Sequence, residues 1–388
     1  MATRPCCKKY GLPLYCASWV PFDKIQQNSI PQQEAKEETT SGEDSNGIKQ
    51  SSPLVPYLVF GGGGGEGRSG VPNALLLAQF DFSTASLSDE PVNKLKTDGE
   101  LPYRMAVHPG GEGLVCSFPQ NCKWFEWDMP SGADSHKLAL KSSEKLLGPL
   151  ENVGLQLALS FNLEGSILAA GGEDGHLRVF KWPSMDVILD QSDAHGSVKD
   201  LDFSSDSRFL VSLGNSGPCR VWDLKSSSVV ASLPRGDDEM FGFCRFSRSI
   251  DNEILYITAM KGKHGRIVSW NTGSWRRAGS TQIVRDPISA FNISADGKLL
   301  AIGTIEGDVA VVDSGTKQVL TRVKKAHLGL VTAMAFSRDA RALVSTSFDS
   351  SARVTITESK KQSGFSMWLI VFIILIAIIS YRLHWCLP

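Results

Sequence analysis

The residues best placed to do chemistry lie in one run, GGGGGEGRSGVPN from Gly61 to Asn73. Seven of these positions are glycine: Gly61, Gly62, Gly63, Gly64, Gly65, Gly67 and Gly70. Glycine loses the most conformational freedom on ordering, so no apolar core calls for such a run. Gly62, Gly64 and Gly67 satisfy the G-x-G-x-x-G spacing of loops that cradle phosphate. A dinucleotide site needs a helix after that loop. Here ALLLAQF from Ala74 to Phe80 follows, and it reads as a strand. A kinase loop does lie between strands, but the chain has no VAIK lysine, HRD or DFG. Two readings remain, a flexible spacer and a recognition loop. Pro72 fixes its own φ and pushes Val71 extended, which makes the second half stiff and is expected to present Asn73 at its end. A long structured loop in a compact domain is usually functional.

The other candidates have simpler explanations. His195 and His327, each after an alanine, could be catalytic or metal-binding. Their position in a repeat instead predicts a hydrogen-bond network inside a blade, joining each His to a turn Asp and a strand Trp. The eight cysteines show no metal-ligand spacing. Cys6 and Cys7 are adjacent and cannot form an ordinary bridge, so all eight are expected to be reduced thiols. Forty basic against 41 acidic residues, a net charge of −1, argue against a nucleic-acid surface. Clustered His, Cys or paired carboxylates of a hydrolase or metalloenzyme are missing, so no small-molecule substrate is expected.

The elements that must hold the loop repeat. Phe161, Phe203, Phe246, Ile293 and Phe336 end similar apolar stretches at intervals of 42, 43, 47 and 43 residues, with a weaker copy at Val107. That period belongs to β-propeller blades. Each copy runs strand, polar turn, small-residue strand, turn, strand, with no helical periodicity between. Third strands end in Val221-Trp222-Asp223, Trp270-Asn271 and Trp127-Asp128, like the WD dipeptide of WD40 repeats. The expected fold is therefore all-β, a seven-bladed WD40-like propeller over residues 1–359. Its first strands start at Leu12, Tyr103, Leu155, Val198, Phe241, Ile288 and Val331. The last blade offers three strands, so the N-terminus is expected to supply the fourth. The polar stretch 26–52 reads as a disordered insertion between two strands of blade one.

After the propeller, Phe365 to Tyr381 carries no charge, Pro or Gly. Its 17 residues would cover roughly 25 Å as a helix, a short transmembrane span suited to a thin bilayer such as that of the endoplasmic reticulum. Lys360 and Lys361 precede the span and only Arg382 follows, which puts the propeller in the cytosol and residues 382–388 in the lumen. No apolar h-region at the N-terminus suggests export. The sequon Asn292-Ile293-Ser294 would then go unused.

GGGGEG followed by Gly-Val-Pro-Asn, in the first blade of a membrane-anchored WD40-like propeller, resembles one family. It is the prolactin regulatory element-binding protein family, the endoplasmic-reticulum exchange factors for the Sar-type small GTPase of COPII vesicles, and the chain looks like a plant member. The resemblance implies guanine-nucleotide exchange without covalent chemistry. It implies that Gly61 to Gly65, Glu66 and Gly67 engage the GTPase, with Gly70, Val71, Pro72 and Asn73 as the acting end, Asn73 competing for polar contacts there. It also implies a potassium ion ordering the loop through backbone carbonyls, with no ligands specified. The alternative function is a non-catalytic adaptor for cargo leaving the endoplasmic reticulum. The stretch 26–52 and the short tail depart from the family pattern.

Overall fold

The computed structural model describes residues 6–29, 56–67, 69–129, 138–248 and 253–357. Seven antiparallel sheets form a ring, each beginning with an inner strand at the channel. These inner strands are Leu14–Trp19, Arg104–Val107, Gln156–Phe161, Val198–Phe203, Glu239–Phe246, Ile288–Ile293 and Val331–Phe336. They start within two residues of the positions expected from the repeat, and each repeat anchor from Val107 to Phe336 closes its strand. Blade seven is completed by the N-terminal strand Cys6–Lys9, in register Cys6 with Val354 through Lys9 with Ser351. Trp19 Nε1 adds a bond to Ala335 O at 3.0 Å across the same closure.

Packing explains why no blade stands alone. The buried apolar side chains fall into seven clusters, and each lies between two neighbouring blades. The small residues ending the second strands permit this contact. A Cβ on Gly171 would sit 2.3 Å from Val198 of the next blade, and one on Gly303 would sit 2.6 Å from Val331. The first strands are also stitched side chain to backbone: Thr332 Oγ1 donates to Leu14 O at 2.7 Å and Asn292 Nδ2 to Met334 O at 2.9 Å. That bond places the sequon amide in the channel wall.

The histidines follow the repeat with two changes: His195 lacks the expected turn Asp, and His327 lacks the expected Trp, because the third strand of its blade, Ser351–Ile356, contains none. His195 Nε2 meets Ser212 Oγ at 2.8 Å, and Trp222 Nε1 donates to the same oxygen at 2.8 Å. No turn Asp joins this network, because the turn 215–218 reads Asn-Ser-Gly-Pro. His327 lies between Ser345 Oγ and Ser351 Oγ, at 2.8 and 2.6 Å, and Ser351 donates on to Asp349 at 2.5 Å. Burial pushes the His327 imidazolium down to about 4, against an ordinary 6.5. The folded state thus prefers neutral His327, and the unfolded state takes up the proton first. Stability from this group is complete above about pH 6.5 and declines as pH falls toward about 4. His327→Asn should therefore lose less melting temperature than wild type between about pH 7 and about pH 5 in a thermal melt series.

One expectation changes: a helix, Phe22–Ser29, takes in the start of the stretch 26–52 that reads as disordered from its composition. It forms because Ile25 is buried and Phe22 packs on Tyr57 with centroids 4.9 Å apart, while Asp23 pairs with Arg338 at 2.6 Å. Residues 30–55 lie outside the described residues, as do the expected span Phe365–Tyr381 and the tail 382–388. Among the described residues no helix is long and apolar enough to cross a membrane. Seven cysteines are described, all free and all but Cys7 buried.

Candidate functional site

In each antiparallel blade the first strand starts, the second ends and the third starts at one and the same end of the ring. The glycine-rich loop joins the second and third strands of blade one, Tyr57–Gly62 and Ala74–Asp81, and so projects from that end. The strand runs two residues farther than the run of glycines suggested. Gly61 and Gly62 belong to it, buried where a Cβ would meet Cys16 Sγ at 2.7 Å and Pro13 O at 2.0 Å. The loop proper is residues 63–73.

Asn73 organises it, in a way that differs from the presented end expected from the sequence. The side chain is 6 % exposed and turned inward. Its Oδ1 accepts from Gly65 N–H at 3.0 Å, while its Nδ2 donates to Gly65 O at 3.2 Å and to Gly99 O at 2.6 Å. One amide thus takes both the N–H and the carbonyl of Gly65 and ties the loop to the turn before blade two. Thr97 N–H donates to Asn73 O at 3.2 Å, and Gly63 N–H to Pro13 O at 2.9 Å. Val71 folds back onto the cluster between blades seven and one. Its N–H donates to Ser69 Oγ at 3.3 Å.

What remains outward is Glu66, Gly67, Ser69, Gly70 and Pro72, all exposed, with Gly64, Gly65 and Val71 half-buried. Gly65 and Gly70 take φ values of +76° and +71°, which ordinary side chains rarely adopt. Beside the loop lies a cleft of about 660 Å³, shared with Lys96, Asp98, Gly99 and Glu100. Sequence reasoning missed this second wall. The Asp98-Gly99 pair, a common turn dipeptide, was the only local signal for it. Glu100 pairs with Lys123, leaving Glu66 and Asp98 as exposed acids.

The arrangement decides among chemistries. Phosphate cradling needs free backbone N–H groups, and those of Gly63 and Gly65 are already donating. Two carbonyls, of Gly65 and Gly99, converge as a cation site would require. The meeting point is filled by Asn73 Nδ2, which supplies the donor itself, so the donor set there does not fit potassium. Among the described residues no three His, Cys, Asp or Glu side chains are grouped to hold a metal. What the site offers is an exposed edge held by the Asn73 clasp.

The family description "WD domain, G-beta repeat" matches residues 151–181, 188–223 and 318–355, the frames of blades three, four and seven. The chain is 49 % identical to SEC12-like protein 2 of Arabidopsis thaliana over 92 % of its own length and 90 % of that protein. It is 34 % identical to SEC12-like protein 1 of the same plant, over 79 % and 77 % of the two chains. A guanine nucleotide-exchange factor, SEC12 of Mus musculus, is 24 % identical over 73 % of this chain and 79 % of its own.

Proposed function

Because the chain belongs to the SEC12-like family, we propose that it is a guanine-nucleotide exchange factor for a Sar-type small GTPase. It acts at the endoplasmic reticulum membrane and starts COPII assembly. The observation that carries this reading is the clasped loop 63–73, an exposed and ordered edge standing off the end of the ring where inner strands begin. Similarity to a named exchange factor supports the activity.

A small GTPase holds its nucleotide with Mg²⁺, phosphate-binding amides and ordered switch segments. An exchange factor must favour the nucleotide-free state, since equal affinity for both states shifts nothing. A loop clasped by its own hydrogen bonds suits that task, because less entropy is lost when it docks. In this reading the exposed edge Glu66, Gly67, Gly70 and Pro72 contacts the GTPase, and Gly61 to Gly65, Val71 and Asn73 hold that edge in place. The span Phe365–Tyr381 confines loading to one membrane surface, with the propeller cytosolic and the tail lumenal.

The test is GDP release from a purified Sar-type GTPase, followed by its fluorescence, with the full chain in detergent micelles. Release should accelerate at least about tenfold, about 1.4 kcal/mol of barrier. Binding of the GTPase with release at its intrinsic rate would sink exchange activity and leave a non-catalytic adaptor.

A further inference from the structure

The central channel carries charge that neither the fold nor the loop explains. It is a cavity of about 350 Å³ walled by the inner strands, and Arg104, Lys199, Arg245 and Arg248 face it against Asp200 and Asp202. Two ion pairs close within it. Arg245 Nη1 donates to Asp200 Oδ2 at 2.5 Å, and Arg248 Nη2 to Asp202 Oδ1 at 3.0 Å. Arg104 and Lys199 are left over. Arg104 donates to Leu157 O at 3.1 Å and Tyr15 O at 3.3 Å, which fixes its guanidinium without neutralising it. Lys199 has no ion pair or hydrogen bond among the described residues, and its ammonium lies 5.7 Å from the Phe243 ring centroid.

An unpaired half-buried ammonium is costly. Burial pushes Lys199 down, Asp200 counters this, and the nearby Arg104 charge pushes it down again. Other channel positions do without charge, as Asn292 and Thr332 show. The two leftover cations come from blades two and four and open the first and second positions of their strands. They therefore lie toward the same end of the ring as the loop.

We propose that this mouth of the channel binds a soluble phosphate monoester, or inorganic phosphate, between Lys199 and Arg104. The two surplus positive charges balance a phosphate carrying roughly −1.5 to −2 at neutral pH. A guanidinium offers planar paired donors and a lysine a mobile point charge, and both suit phosphate oxygens. The cavity has room for the phosphate and a small attached group.

The experiment is titration calorimetry of the full chain in detergent with inorganic phosphate and with glycerol 3-phosphate, against chloride at equal ionic strength. Each ligand's effect on the melting temperature is read in parallel. One site per chain and a phosphate-dependent rise in melting temperature are expected. Lys199→Met should weaken binding at least about tenfold and lose that rise. The exposed Lys298→Met should keep both. Lys199→Gln makes the same comparison should the methionine variant not fold. No binding to wild type, or an unchanged effect in the Lys199 variant, overturns the proposal. Binding only to vesicles bearing phosphatidic acid, and not to soluble phosphate, overturns it in favour of a membrane contact.

Discussion

Asn73→Ala is expected to free the loop while leaving the propeller folded. Three hydrogen bonds disappear, and the Gly65 N–H, the Gly65 carbonyl and the Gly99 carbonyl lose their partner together. At about 1 kcal/mol net each, the loop's ordered state loses ~3 kcal/mol, a factor of about a hundred in its population. None of the seven inter-blade clusters contains Asn73, so the melting temperature should fall by only a few degrees. Amide hydrogen exchange at Gly65 should accelerate by about two orders of magnitude. Stimulated GDP release should drop at least about tenfold. The two readouts together separate positioning from contact. If release is lost while Gly65 exchange is unchanged, Asn73 touches the GTPase directly and the inward clamp is not its role. Asn73→Asp keeps the acceptor for Gly65 N–H but puts a carboxylate against two carbonyls, so it should behave like the alanine variant.

Gly63→Ala is expected to do comparable harm by the opposite route, adding atoms instead of removing them. A Cβ on Gly63 would lie 2.1 Å from Asn73 Oδ1 and 2.6 Å from Asn73 Cα. The second of these is backbone and cannot swing away. Gly63 also has a φ of +152°, at the edge of the region L-residues avoid. Relief requires either expelling the Asn73 amide or moving the strand start at Ala74, at a cost of about 1–3 kcal/mol. Gly67→Ala is the internal control. It has nothing within 4 Å of its would-be Cβ and no unusual φ. Its alanine should retain the loop's order, read as unchanged amide hydrogen exchange at Gly65. Equal rates for Gly63→Ala and wild type would mean that the loop's closed form is not the active one.

Much of this molecule was legible from local pattern. Blade number, strand order and the closing role of the N-terminus follow from a repeat whose period matches four short strands. The loop stood out because a glycine run of this length is more than a β-sheet core demands, although Gly61 and Gly62 lie in the strand itself. The helix Phe22–Ser29 was hidden because its surroundings are polar and only Phe22 and Ile25 bury against blades one and two. Its stability comes from partners distant in sequence rather than from a periodic stripe.

What the tertiary structure decided is the direction of side chains that meet across long chain separations. Asn73 at the end of a stiff Val-Pro segment looked like a presented group. It turned inward because Gly99, 26 residues on, brings a carbonyl to the same point as Gly65. Lys199 and Arg104 look like ordinary strand residues in the sequence, and only ring closure places both charges on one channel. Spacing along the chain reports strand period and stiffness, which are local properties. Pairing between a loop and the next blade's turn depends on how the ring closes, and no local spacing encodes it.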